Sequence, residues 1–156
     1  MTGYPELMAM IGELLELPNV RVTKYQTQGQ HRINVFVAST VAAAVCPECE
    51  SVSTQVPDVG EPQLVRDLPM WERRCWIGYA PRRFTCERCE KTFVERVAWR
   101  EPGLNYTTRY EAYVYEQVRR QTVAQVAKAE GVSEDIVTGI FERLAKKRSP
   151  PADTRA

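Results

Sequence analysis

Cys46-Pro47-Glu48-Cys49 and Cys86-Glu87-Arg88-Cys89 are the two stretches on which the fold turns. Each puts two residues between its thiols, so one tight turn aims both sulfurs at a common point. Two such turns complete a tetrahedron of thiolates at roughly 2.3 Å from a metal ion. The 36 residues between the pairs exceed the roughly 15–20 of a compact finger. They are strand-like, so the chain has room to fold out and return, as in a zinc ribbon. A redox pair would precede a helix in a βαβ setting, and no such setting is visible. Two disulfides would need an oxidising compartment. Residues 1–10 carry Glu6 and no Lys or Arg, so they lack the basic start of a signal peptide. No apolar run approaches the ~20 residues that cross a bilayer. The expectation is a cytoplasmic protein in which Cys46, Cys49, Cys86 and Cys89 hold one structural Zn²⁺ per chain. With four protein ligands no position is left for a catalytic water. Cys75, the fifth cysteine, lies in the alternating run Arg74-Cys75-Trp76-Ile77 and reads as a small buried hydrophobe on a strand.

Working outward, residues 4–17 place Leu7, Met10, Ile11, Leu14 and Leu15 at helical spacing, and Pro18-Asn19 ends the pattern. Residues 20–26 and 32–39 alternate and are β-branched, which predicts a hairpin closed by Thr27-Gln28-Gly29-Gln30. His31, the sole histidine, falls at the edge of that loop and reads as a solvent-facing residue. Strands are expected over 73–85 and 92–98, beside the second cysteine pair. Pro81, without an N–H, belongs on an edge or at a bulge.

From Thr107 onward the period becomes helical. Helices are expected over 108–120, 123–130 and 134–147, with capping-box spacing at Thr108/Glu111 and Thr122/Gln125. Residues 123–133 have the grammar of a helix-turn-helix: Ala127 lets two helices approach, Gly131 permits a turn at positive φ, Val132 plugs the core, and Ser133 caps the next helix. That helix is expected to bury Ile136, Val137, Ile140 and Leu144, and to show Glu134, Asp135, Thr138, Gly139, Glu142 and Arg143. The fold class is therefore α+β: a short N-terminal helix and an antiparallel β-rich zinc ribbon over 1–100, then a three-helix helix-turn-helix domain over 101–148. Residues 149–156, rich in Pro and polar side chains, are expected to be disordered.

The 156 residues carry a formal charge of +1, but the charge is uneven. Residues 62–100 hold nine Arg/Lys against five Asp/Glu, whereas residues 41–61 hold four acids and no base. Such a stretch is compatible with nucleic acid and does not by itself establish it.

In order along the chain come Leu17-Pro18-Asn19-Val20, Cys46-Pro47-x-Cys49, Arg66-Asp67-Leu68-Pro69, Arg82-Arg83-Phe84-x-Cys86-x-x-Cys89, Phe93-x-Glu95 and the helical segment near Thr122. This combination, spanning about residues 7–147, resembles the amino-terminal portion of the ISL-three family of insertion-sequence transposases. The resemblance implies a zinc ribbon and helix-turn-helix that recognise the terminal repeats of an element as double-stranded DNA. It implies Arg82 and Arg83 as phosphate contacts and the last helix in the major groove; on that helix Thr138 and Arg143 are the expected base contacts, and Arg143, Lys146, Lys147 and Arg148 form a basic end. Many members have a histidine after the first cysteine pair, where Pro57 stands near that place here. The family's catalytic domain, with its acidic metal ligands, would follow; only a short tail does so here, and no enzymatic activity is expected.

Glu134 and Asp135 suit a helix N-terminus but repel phosphate, which keeps a second reading open: a protein-interaction or assembly module scaffolded by the ribbon. A homo-dimer or a separate catalytic partner fits the sequence equally, and neither a membrane nor a small-molecule substrate is expected.

Overall fold

A computed structural model describes residues 5–148. The segment 149–156, expected to be disordered, lies outside the described residues, as do residues 1–4. The chain divides between Thr107 and Thr108 into two compact units.

The first unit opens with α1 (Pro5–Leu15), followed by β1 (Val20–Gln28) and β2 (Arg32–Ser39), an antiparallel hairpin with a register shift between Val22 and Lys24. His31 is exposed in its turn. The chain then leaves for β3 (Ala44–Val45), β4 (Val52–Ser53) and β5 (Gln55–Val59). It returns as β6 (Gln63–Met70) and β7 (Arg73–Tyr79). These two strands join the hairpin in a four-stranded sheet of order β1-β2-β7-β6. Strands are mostly antiparallel, but β2 and β7 pair in parallel, Arg32 opposite Arg74 through Val37 opposite Tyr79. A parallel pair needs a long crossover, and residues 40–72 supply it.

One face of this sheet makes the core. Ile33, Val35 and Val37 from β2, Val65 from β6, and Cys75, Ile77 and Tyr79 from β7 pack with Ile11, Leu15, Leu17 and Trp99. The alternation of strand side chains between faces places them together, and α1 covers them with its own apolar stripe. Cys75 is fully buried in this cluster, as its alternating neighbourhood suggested.

The expected strand over 73–85 is two strands: β7 ends at Tyr79, and β8 (Arg82–Thr85) begins after Pro81, which donates no hydrogen bond to a ladder. β8 lies between β5 and β9 (Thr92–Val94) in a three-stranded sheet, and β3 and β4 form a separate pair. The first unit extends to Thr107 because residues 100–107 fold back: Arg66 N–H bonds to Asn105 C=O and Thr107 N–H to Arg66 C=O, both at 2.8 Å. The Thr107 hydroxyl donates to Asp67 at 2.7 Å.

The second unit holds α2 (Thr108–Val118), α3 (Val123–Glu130) and α4 (Glu134–Arg148). Its buried side chains include Tyr110, Val114, Val126, Ala127, Val137, Ile140 and Leu144, while Ile136 is half-buried. The Thr122 side chain accepts from Gln125 N–H and the Gln125 side chain accepts from Thr122 N–H, so this capping box is complete. At the other capping-box spacing, Thr108 is already helical and Glu111 is buried. Its carboxylate meets Arg143.

Candidate metal centre and nucleic-acid interface

Each cysteine pair sits on the turn of its own hairpin: Cys46 and Cys49 between β3 and β4, Cys86 and Cys89 between β8 and β9. The turns share one hydrogen-bond pattern. Cys46 N–H bonds to Ser51 C=O and Glu50 N–H to Cys46 C=O, both at 2.9 Å; Cys86 N–H bonds to Lys91 C=O at 2.8 Å and Glu90 N–H to Cys86 C=O at 2.9 Å. Glu50 and Glu90 both lie at φ 63°, because reversing the chain within five residues requires a left-handed step. The Ser53 hydroxyl, fully buried, donates to the Thr85 carbonyl and ties one hairpin to the other.

The four Sγ atoms all lie within 4.8 Å of one another. Cys46 Sγ is 3.7 Å from Cys89 Sγ, and Cys49 Sγ is 3.5 Å from Cys86 Sγ. A tetrahedron with ~2.3 Å metal–sulfur bonds has edges of about 3.8 Å, so the donor set fits one zinc ion. Backbone amides point at the sulfurs, Glu48 N–H at Cys46 Sγ (3.4 Å) and Cys89 N–H at Cys86 Sγ (3.5 Å), which supports thiolate charge. Ser51 pulls Cys49 down to about 6, through its hydroxyl first and then its backbone. Cys89 rises to about 11: the Lys91 backbone lowers it, but burial and the neighbouring thiols outweigh that. Zinc displaces the protons that such a cluster otherwise shares.

Arg82 and Arg83, adjacent on β8, have different environments. Arg82 Nε and Nη2 donate to Glu95 Oε2 and Oε1 at 2.8 and 2.7 Å, and Nη2 also reaches Ser39 Oγ (3.0 Å) and Val41 C=O (2.7 Å). Tyr79 Oη donates to Glu95 Oε2 at 2.6 Å. This clamp joins the ribbon to β2 and β7. Arg83 is exposed, with Asp58 at 3.6 Å. Glu95 is the residue that sequence reasoning did not connect to Arg82. The signal was the Phe93-x-Glu95 element, but nothing local says that a carboxylate 13 residues away closes on a guanidinium.

In the second unit, Gly131 takes φ 69° and its N–H caps Ala127 C=O, while Ser133 Oγ accepts from Ile136 N–H at 3.2 Å. A left-handed glycine and a serine cap in succession turn α3 sharply into α4. Along α4, Glu134, Asp135, Glu142, Lys146, Lys147 and Arg148 are exposed and Thr138, Gly139 and Arg143 are half-buried. Arg143 pairs with buried Glu111. Arg148 stacks on Tyr115 at 4.5 Å and lies 3.4 Å from Glu116.

Residues 42–89 match the zinc-finger of transposase IS204/IS1001/IS1096/IS1165, and residues 95–145 match the helix-turn-helix domain of transposase family ISL3 (ISL-three). Both regions are thus similar to domains of ISL3-type transposases. The four cysteines of its ISL3-type ribbon bind one structural zinc ion. The chain is 27% identical over 96 residues to the transposase for insertion sequence element IS1001 of Bordetella parapertussis, covering 62% of this chain and 23% of that relative. It thus spans about a quarter of that relative's length. No solved structure matches. Neither ISL3-type region is a catalytic domain, and among the described residues no helix is long and apolar enough to cross a membrane.

Proposed function

We propose that this chain is a duplex-DNA-binding module that recognises the ends of an insertion element. The observation that carries it is the succession, in one chain, of a four-thiol ribbon and a capped α3–Gly131–α4 turn, both matching transposase domains. In this reading α3 and α4 form the helix-turn-helix, and α4 enters the major groove. Arg83, Lys146 and Lys147 meet phosphates. Thr138 and Arg143, the latter oriented by Glu111, face the bases, and Arg82 anchors the strand that carries Arg83.

The acidic start of α4 fits this reading in one specific way. Glu134 and Asp135 are exposed and repel phosphate, but a carboxylate accepts a hydrogen bond from the cytosine amino group in the major groove. The same acids are what favours the second reading, a protein-interaction module, since a helix that avoids phosphate would suit a basic protein partner.

Thr138→Ala and Arg143→Gln separate the two readings. Fluorescence anisotropy on terminal-repeat DNA and on a scrambled duplex should show a narrowed preference between them, by about 1–3 kcal/mol for each base-reading side chain replaced. Unchanged preference would take α4 out of the groove and favour the protein-interaction reading.

A further inference from the structure

The core face of the β1-β2-β7-β6 sheet lies under α1; its opposite face is built quite differently. Alternation and register place Arg21 and Lys24 of β1, Arg32 and Phe36 of β2, and Arg74 and Trp76 of β7 on that outer face. Arg21, Lys24 and Arg74 are exposed, and Arg32 is half-buried. No Asp or Glu occurs anywhere from residue 17 to residue 47. Arg66, the β6 residue opposite Trp76, adds a further buried cation to the same side.

Aromatic rings hold Lys24, Arg32 and Arg66 in place. Phe36 lies flat across Gly78, where even a methyl group would come within 2.3 Å of the ring. Lys24 Nζ sits 4.6 Å over that ring. The Arg32 guanidinium lies 3.7 Å over Trp76, and its Nε donates to Asn34 Oδ1 at 3.1 Å. Among the described residues Arg32 makes no other side-chain hydrogen bond, and Arg21, Lys24 and Arg32 pair with no carboxylate. Arg32 and Arg74 are register partners on adjacent strands, a like-charge opposition that costs a sheet stability. Cations fixed over aromatic floors lose little freedom on meeting an anion. This sets them apart from Arg82 and Arg143, whose guanidiniums are engaged by carboxylates within the fold.

We infer that the outer sheet face is a further DNA-binding surface, on which Arg21, Lys24 and Arg32 meet the phosphate backbone of a duplex. The inference rests on the proposed duplex-DNA function and adds to it a surface that lies largely before the zinc ribbon in sequence. Duplex backbone is favoured over single strands because the two rings on this face are covered by cations, so bases have no open ring to stack on. The face carries charge without base-reading geometry, so it adds affinity and not sequence preference.

The test uses the full zinc-loaded chain. Arg21→Gln/Lys24→Gln and the triple variant that adds Arg32→Gln are compared with wild type and with Lys146→Gln/Lys147→Gln. Anisotropy titrations with a 20-base-pair duplex, its scrambled form and a single strand are run at several salt concentrations. Circular dichroism and zinc content confirm the fold of each variant. The double variant does not touch the Arg32–Trp76 stack, so it remains informative if the triple unfolds.

Each phosphate contact removed should flatten the slope of log affinity against log salt by about 0.9. The double variant should therefore lose roughly two units of slope, with about tenfold or greater weakening on both duplexes and no change in preference between them. Wild-type slope and affinity in the double variant, while Lys146→Gln/Lys147→Gln weakens binding, would overturn the sheet surface alone. An effect confined to the single strand would also overturn it. Absence of duplex binding by wild type at low salt would overturn this inference and the proposed function together.

Discussion

Arg82 shows how the same residue reads differently in sequence and in space. Beside Arg83 and a zinc knuckle, it has the look of a phosphate contact; in the fold, its guanidinium forms a two-pronged bond with Glu95, whose side chain is only 6% exposed. Removing one partner of such a pair leaves a buried charge without compensation. Arg82→Ala should therefore destabilise the first unit by about 2–3 kcal/mol in urea titrations, whereas Arg83→Ala should change stability by less than about 0.5 kcal/mol. Burial pushes the Glu95 carboxyl up, but the hydrogen bonds from Arg82 and Tyr79 outweigh it, and the net shift is downward. A carboxyl with a lowered folded-state pKa contributes stability that is present above its unfolded value, near 4.3, and is lost as pH falls through the folded one. Wild type should lose stability across that acidic window more steeply than Glu95→Gln, measured by urea midpoints from pH 7 down to pH 3. Equal pH slopes would mean that the clamp does not carry the charge assigned to it.

Glu50 and Glu90 belong to the same scale. Both occupy left-handed backbone at φ 63° directly after a cysteine pair, a conformation that costs a residue with a Cβ roughly 1 kcal/mol. Glu50→Gly should raise the thermal midpoint of the zinc-loaded protein by a few degrees, and Glu50→Val should lower it. A rise with valine would contradict the backbone argument.

Among elements, those whose causes are local in sequence were legible. The cysteine knuckles follow from two-residue spacing, the β1–β2 hairpin from alternation around Gly29, and the Thr122–Gln125 box from side chains three apart. What was not legible depends on contacts between distant residues. The parallel register of β2 on β7 joins segments about 40 residues apart, and no local pattern distinguishes it from an antiparallel partner. The fold-back of residues 100–107 onto Arg66 likewise moves the unit boundary from residue 100 to Thr107 for reasons absent from either segment alone. At the site, the zinc ligands were readable because the chemistry of four thiolates is local. The Arg82–Glu95 and Arg143–Glu111 pairs were not, because a guanidinium with an internal partner has the same sequence as one awaiting phosphate.

At the element scale the hairpins should depend on metal. Cys49→Ser or Cys86→Ser should abolish the one-zinc stoichiometry and unfold the ribbon, since metal binding there supplies folding free energy on the order of 10 kcal/mol. Cys75→Ser should retain one zinc while lowering stability by about 1–3 kcal/mol, because it buries a hydroxyl in an apolar cluster. Zinc lost from Cys75→Ser, measured by atomic absorption on folded protein, would place that thiol in the metal site. In the second unit, Thr122→Ala should cost about 1 kcal/mol by removing the α3 cap.

For the whole molecule, two basic regions of different construction converge on one expectation. The formal charge of +1 hides a basic sheet face, whose first two strands carry no Asp or Glu, and a helix that ends Lys146-Lys147-Arg148, so affinity for DNA should come from placement and not from net charge. The most direct measurement is the affinity of the intact zinc-loaded chain for a terminal-repeat duplex and a scrambled duplex across a range of salt concentrations. The predicted result is a linear fall of log affinity with log salt on both, with tighter binding to the terminal repeat at every salt concentration. No binding to either duplex at low salt, or binding that ignores salt, would contradict a DNA-binding role and leave protein interaction as the function of the ribbon and helices.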